Sequence, residues 1–306
     1  TTINDALDSI EELDENIPVR IELAPGEYYE RLEILRPHIT LVGENADTTF
    51  ITHSLYAFML MADGTKRGTF RSYSVLIDTN DFTAENITFE NASGDGGEVG
   101  QALAIYSEGD MIKYINCCFL GCQDTIFTGP LPPKELQPGG FIGPKQFAPR
   151  INGRQYYKDC FIRGDIDFIF GSSTAYFENC EIFSNNRGKE INGYVTAPST
   201  PEGQEYGYVF EGCHFTARQI QYISDVRGAT MQRQYFSTVR WMHISDMKGL
   251  TTGIKKLHTR PHTGQSTTAP EKVPRVSVYL GHTSLLTRRL PTTAAGMSLD
   301  FNFIRR

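Results

Sequence analysis

Hydrophobic positions up to residue 216 fall in short runs, often alternating with polar residues and cut at close intervals by Gly, Asn and Asp. This pattern predicts strands at 20–23, 39–42, 86–89, 102–106, 126–127, 168–170 and 208–210. Helical spacing occurs only at the start, over 2–13, where Ile3, Ala6, Leu7 and Ile10 share one face. The expectation is a β architecture capped at its N-terminal end by a short amphipathic helix.

Internal repetition narrows the architecture. The stretch 116–127 superimposes on 159–170 at an offset of 43, with Cys117/Cys160, Gly121/Gly164, Asp124/Asp167, Ile126/Ile169 and Phe127/Phe170 in register. Four cysteines occupy one slot, an aromatic, any residue, Asn, Asp or Gly, then Cys: Tyr114 to Cys117, Tyr157 to Cys160, Phe177 to Cys180 and Phe210 to Cys213. Strand-containing units that recur at about 20 residues or more build a solenoid, so the predicted fold is all-β, a right-handed parallel β-helix. Residues 128–150 are rich in Pro and Gly, lack periodicity and read as an inserted loop. Without those 23 residues the offset of 43 shrinks to 20, one coil. Asp124 and Asp167 then sit on adjacent coils, about 4.8 Å apart in strand spacing.

Composition excludes some classes. Hydrophobic residues make up 40% of the 306 and charged residues 21%, which excludes wholesale disorder and a membrane bundle. The longest apolar run, 56–62, is too short to cross a bilayer. The six cysteines lack zinc-site spacing and the spread of a disulfide framework, so stacked core thiols are expected. The chain opens at Thr1, and any secretion leader is expected to have been removed or left out. Charge is split: 15 Lys and Arg against 32 Asp and Glu give −17 over 1–216, whereas 14 against 4 give +10 over 217–306.

Two carboxyls on adjacent coils cannot both ionise freely; one is held as an acid beside the other as a carboxylate. That pair suits attack on an ester carbonyl, with the neighbour protonating the leaving alkoxide and then activating water. Gln123, beside Asp124, and Gln101, 22 residues earlier, can supply amide donors to an oxyanion. Phe127 and Phe170 are candidate apolar walls for the substrate. A polysaccharide lyase or hydrolase on the same type of coil is one alternative, but an inverting hydrolase needs carboxyls about 6.5–9.5 Å apart. A non-catalytic polysaccharide-binding solenoid is the other.

At these residues a family resemblance emerges. Gly121-Cys122-Gln123-Asp124-Thr125-Ile126-Phe127 resembles the GYQDTLY motif of pectin methylesterases, Gly164 to Gly171 resembles their GxVDFIFG, and Gln101-Ala102-Leu103-Ala104 resembles their QAVAL. The stretches 21–28 and 39–44 are similar to the family's early strands. The resemblance covers about residues 1–216. It implies a secreted or cell-surface esterase that demethylates pectin, with Asp167 as nucleophile, Asp124 as acid/base and Gln101 and Gln123 as oxyanion donors. It implies no metal or other cofactor and no nucleic-acid or membrane partner, and a monomer is expected.

The family's LGRPW motif, whose Arg orients the nucleophile, is absent after Thr216. Read from each codon's third base, synonymous codons for residues 222–236 can spell HLGRPWRDNAKTVF, and family-like sequence continues to 262. The expectation is therefore a domain 1–216 followed by an out-of-frame, poorly ordered tail at 217–306. Its positive charge then says nothing about nucleic acid. A chain lacking that arginine is expected to be impaired as an esterase.

Overall fold

The computed structural model describes residues 2–135, 137–189, 193–217 and 275–280. From Val19 to Ala217 the chain visits three parallel sheets in unbroken rotation. The first coil is Val19–Leu23, Gly26–Tyr29 and Leu32–Ile34, and the pattern repeats until His214–Ala217 closes the series. Each strand pairs with its equivalent one coil earlier and one coil later, as in Val19–Leu23 on Ile39–Gly43 and Phe161–Gly164 on Glu181–Ser184. This is the β-helix that the repeats predict.

The cysteine slot now has a physical explanation. Tyr114, Tyr157, Phe177 and Phe210 point inward and stack, with successive ring centroids 4.9, 4.6 and 4.6 Å apart and planes within 21°, 15° and 11°. Two residues later Asn116, Asp159, Asn179 and Gly212 turn the chain with positive φ, a conformation Asn, Asp and Gly adopt at least cost. The following cysteine points inward again. Cys117, Cys160, Cys180 and Cys213 are free thiols, the first three buried, and each directs its sulfur at backbone carbonyls.

Several boundaries differ from the sequence expectation. The helix is only Ile3–Asp8, started by a capping box between Thr2 and Asp5. Ser9 donates its hydroxyl to the Ala6 carbonyl, and the next amides bond three residues back, so the helix tightens into turns before Leu13. Ile10 still reaches the core. The strand expected at 86–89 begins at Thr88 because Asn86 is a left-handed turn residue. The strand expected at 102–106 begins at Ile105, although the Ala102 and Ala104 amides already bond the next coil. Thr128 belongs to the Ile126–Thr128 strand, so the insertion starts at Gly129.

Most of 217–306 lies outside the described residues, and with it the expectation of poor order there. The exception beyond Ala217 is Val276–Leu280, an antiparallel strand on the first strand of the coil, Val19 opposite Leu280 and Leu23 opposite Val276. A β-branched alternating segment covers an edge that would otherwise present unpaired amides.

The insertion packs back on the sheet that carries Ile105–Glu108 and Ile126–Thr128. Leu131 and Phe141 join Phe70, Tyr73, Leu76, Leu103, Tyr106 and Phe127 in a second apolar cluster, outside the coil. Beside it the Lys145 ammonium bonds Asp78 and lies 3.8 Å from Glu108. Burial, partly offset by Lys145, pushes the Glu108 carboxyl up to about 7 from its ordinary 4.5. A carboxyl raised in this way stabilises the native state below its unfolded value and loses that contribution as pH rises through the native one. Warming the protein at about pH 5 and about pH 8 should therefore show lower stability at the higher pH, by at most about 3 kcal/mol from this group. Glu108→Gln should flatten that difference, and proteolysis within 129–153 should follow the same trend. An unchanged pH dependence in the variant would exclude Glu108 as its source.

Candidate active site

Asp124 lies two residues before the strand Ile126–Thr128, and Asp167 is the second residue of its neighbour in the same sheet, Ile166–Gly171. Their φ angles are 63° and 48°, the same left-handed turn repeated on adjacent coils. The strands pair Ile126 with Ile169 and Phe127 with Phe170, and the Asp124 amide donates to the Ile166 carbonyl at 3.0 Å. That parallel register sets Asp124 directly on Asp167. Two glycines permit it: a Cβ on Gly121 would lie 2.6 Å from the Thr125 hydroxyl, and one on Gly164 would lie 2.2 Å from the Phe168 Cβ. Backbone and side chain approach there more closely than any other residue allows.

The two carboxyls differ in environment. Asp124 is 8% exposed, and burial, then the charges of Asp167 and Asp165, hold its carboxyl well above the ordinary range. A hydrogen bond from the Gln123 side chain acts in the opposite sense. Asp167 is more open, and burial is the one influence that raises its pKa. Asp124 is therefore the member that keeps the proton, and Asp167 the member that ionises first. Among the described residues no cation lowers the pKa of Asp167.

The other predicted residues are placed unequally. Gln123 adjoins Asp124, and its Cβ and Oε1 pack against Gly96. Gln101 precedes the neighbouring strand on the same sheet, but that register has an offset of 21: Ile105 pairs with Ile126, so Gln101 falls level with Cys122 rather than Gln123. Phe127 and Phe170 are in contact, with ring centroids 5.0 Å apart and planes tilted by 50°. Phe127 is only 1% exposed, covered by Phe70 at 4.9 Å, so Phe170 is the ring of the two that a ligand can reach.

Asp165 escaped the sequence reading. It is 4% exposed, its Oδ1 accepts the Ile166 amide at 2.9 Å, and its charge adds to the upward shift of Asp124. The 43-residue alignment sets it against Cys122, so no acid–acid match marks it.

Comparisons with known proteins converge on one family. The family model Pectinesterase matches residues 1–130 and 150–253. The gap falls within the insertion, and the match continues past residue 217. Pectinesterase 31 of Arabidopsis thaliana is 35% identical over 222 residues, covering 70% of this chain and 61% of that protein. Probable pectinesterase 8 of the same plant is 32% identical, covering 70% of this chain and 50% of its own length. The chain thus spans less than two thirds of these relatives. Among solved structures, pectin methylesterase PemA from Erwinia chrysanthemi superimposes with a TM-score of 0.60 at 30% identity, over 72% of this chain and 64% of that one. The pectin methylesterase from Yersinia enterocolitica gives 0.59 at 35% identity, over 71% and 66%. A further pectin methylesterase, at 31% identity, was solved in complex with a hexasaccharide; the match covers 72% of this chain and 62% of that one, with a TM-score of 0.59.

Proposed function

The chain belongs to the pectinesterase family, and we propose that it hydrolyses the methyl esters of polygalacturonate to methanol and free carboxylates. The observation that carries this reading is the register of Asp124 on Asp167, with Asp124 the more buried of the two. Asp167 attacks the ester carbonyl, and the Gln101 and Gln123 amides receive the oxyanion. The tetrahedral adduct expels methoxide, which leaves as methanol with the Asp124 proton. The acyl-aspartate is then opened by water, whose proton passes to Asp124, and the dyad returns to its starting state. Phe170 lines the approach, with Phe127 supporting it from below. The proposed partner is pectin, met by a monomer secreted or held at the cell surface, where such a polymer lies.

We also propose that residues 217–306 are read out of frame and that this chain is a weak esterase for want of the orienting arginine. The missing motif, the charge reversal and the codon reading support this; the family match that runs on to residue 253 counts against a sharp break at 217. Sequencing the gene across codon 216 decides between them. The function is tested with methyl-esterified polygalacturonate: methanol and acid should appear in equal amounts, with no unsaturated, ultraviolet-absorbing product. A lyase product, or binding without turnover after the frame is restored, would overturn the reading.

A further inference from the structure

Asp165 stands two residues before Asp167 and is almost fully buried. Burying a carboxyl is costly unless its oxygens are bonded. Asp165 Oδ1 accepts the Ile166 amide at 2.9 Å, while the Ile166 carbonyl accepts the Asp124 amide at 3.0 Å. Ile166 is thereby gripped from both sides, by Asp165 at its N–H and by Asp124 at its C=O. The Asp165 backbone is tied to both neighbouring coils as well. Its amide donates to the Cys122 carbonyl, and its carbonyl accepts the Tyr194 amide, each at 2.9 Å. The second contact needs a glycine beside it, because a Cβ on Gly193 would lie 1.9 Å from the Asp165 oxygen.

These bonds frame an irregularity that carries Asp167. Ile166 pairs with Tyr194 on the following strand, but Ile169 pairs with Thr196, so three steps on one side meet two on the other. The extra residue makes a β-bulge between Ile166 and Ile169, and the φ of 48° at Asp167 falls inside it. A bulge of this kind re-aims a side chain out of the regular ladder.

The charges around Asp165 are mixed. Burial raises its own carboxyl; the Ile166 amide, the Arg187 charge and the Asn185 side chain favour the ionised form, and Asp95 opposes it. Burial, and then Asp165, push the Cys122 thiol up to about 12, so the sulfur on the preceding coil stays neutral. Toward Asp124 the Asp165 charge adds to that of Asp167, against a hydrogen bond from Gln123.

We propose that Asp165 is a positioning residue of the dyad: its carboxylate fixes Ile166, and through it the bulge that aims Asp167 and the carbonyl that anchors Asp124, while its charge faces Asp124. The purpose of this arrangement rests on the esterase reading above; its detection does not.

Asp165→Asn and Asp165→Ala, made in the full chain, separate the two actions. Asn keeps an oxygen for the Ile166 amide and removes the charge; Ala removes both. NMR titration of isotope-labelled aspartate carboxyls, with the Asp124 signal identified by its loss in Asp124→Asn, follows the charge. The Asp124 midpoint should fall by about one pH unit or more in both variants, and the alkaline limb of methanol release should move with it. Hydrogen exchange at the Ile166 amide should match the parent in Asp165→Asn and quicken about fivefold or more in Asp165→Ala, with the amides of Val19–Leu23 unaffected. An unmoved Asp124 midpoint in Asp165→Asn, or an Ile166 amide that stays protected in Asp165→Ala, refutes the proposal. If the Ala variant fails to fold, the Asn midpoint alone decides. A chain that shows both changes yet releases no methanol overturns the esterase reading and leaves the coupling of Asp165 to the pair standing.

Discussion

Asp167→Asn should reduce methanol release by about 10⁴-fold or more, the scale seen when a covalent nucleophile is removed. The amide keeps the shape of the site, so pectin binding should persist. The measurement belongs on both the chain as it stands and a version with its tail restored to the shifted frame, because the parent rate in the first is expected to be low. Turnover that survives in the restored protein would dismiss Asp167 as nucleophile. Asp124→Asn should differ in kind. Activity requires one proton on the pair, so the rate rises as the dyad loses its first proton and falls as it loses the second. Burial and the Asp167 and Asp165 charges displace that second loss upward from the carboxylate range. The stability linked to Asp124 is present below 3.8 and fades as pH climbs through its raised native value. The Asn variant should therefore be slower than its parent yet more stable near neutral pH, a trade of stability for function. Denaturant melts of parent and variant at acid and neutral pH check the sign: loss of stability in the variant at neutral pH would contradict it.

Phe177→Ala should cost about 3–5 kcal/mol, the range for deleting a buried phenylalanine. Its ring is fully buried and stacked on both sides, on Tyr157 and Phe210 at 4.6 Å each. In a solenoid each coil is held chiefly by its neighbours, so damage at one interface isolates what lies beyond it. Amides of Tyr208–Glu211 and His214–Ala217 should lose hydrogen-exchange protection more than those of Val19–Leu23. A uniform loss, or a urea-derived change below about 1 kcal/mol, would mean that the ladder does not couple the coils.

The coil itself was legible because its determinants are local and repeat. An inward aromatic, a left-handed turn residue and an inward cysteine recur at 117, 160, 180 and 213, and the pairing of Cys118 with Phe161, Phe161 with Glu181 and Glu181 with His214 follows the same offsets. Asp124 on Asp167 was legible for the same reason. Gln101 falls level with Cys122 because the offset from its strand to the next is 21, a value that the 22-residue interval between the two glutamines does not reveal. The helix was drawn too long because apolar spacing continues to Ile10 after the backbone has tightened at Ser9.

The amino-acid order alone determined the rotation of strands, the ladder and the juxtaposition of two acids, since each depends on chemistry repeated at a fixed interval. Only the three-dimensional packing decided which acid keeps its proton, that Phe127 is covered while Phe170 is open, and that the charge of Asp165 acts on Asp124. Those properties come from burial and from fields summed over residues distant in the chain, such as Phe70 on Phe127 and Asp167 on Asp124, and no periodicity along the chain encodes them.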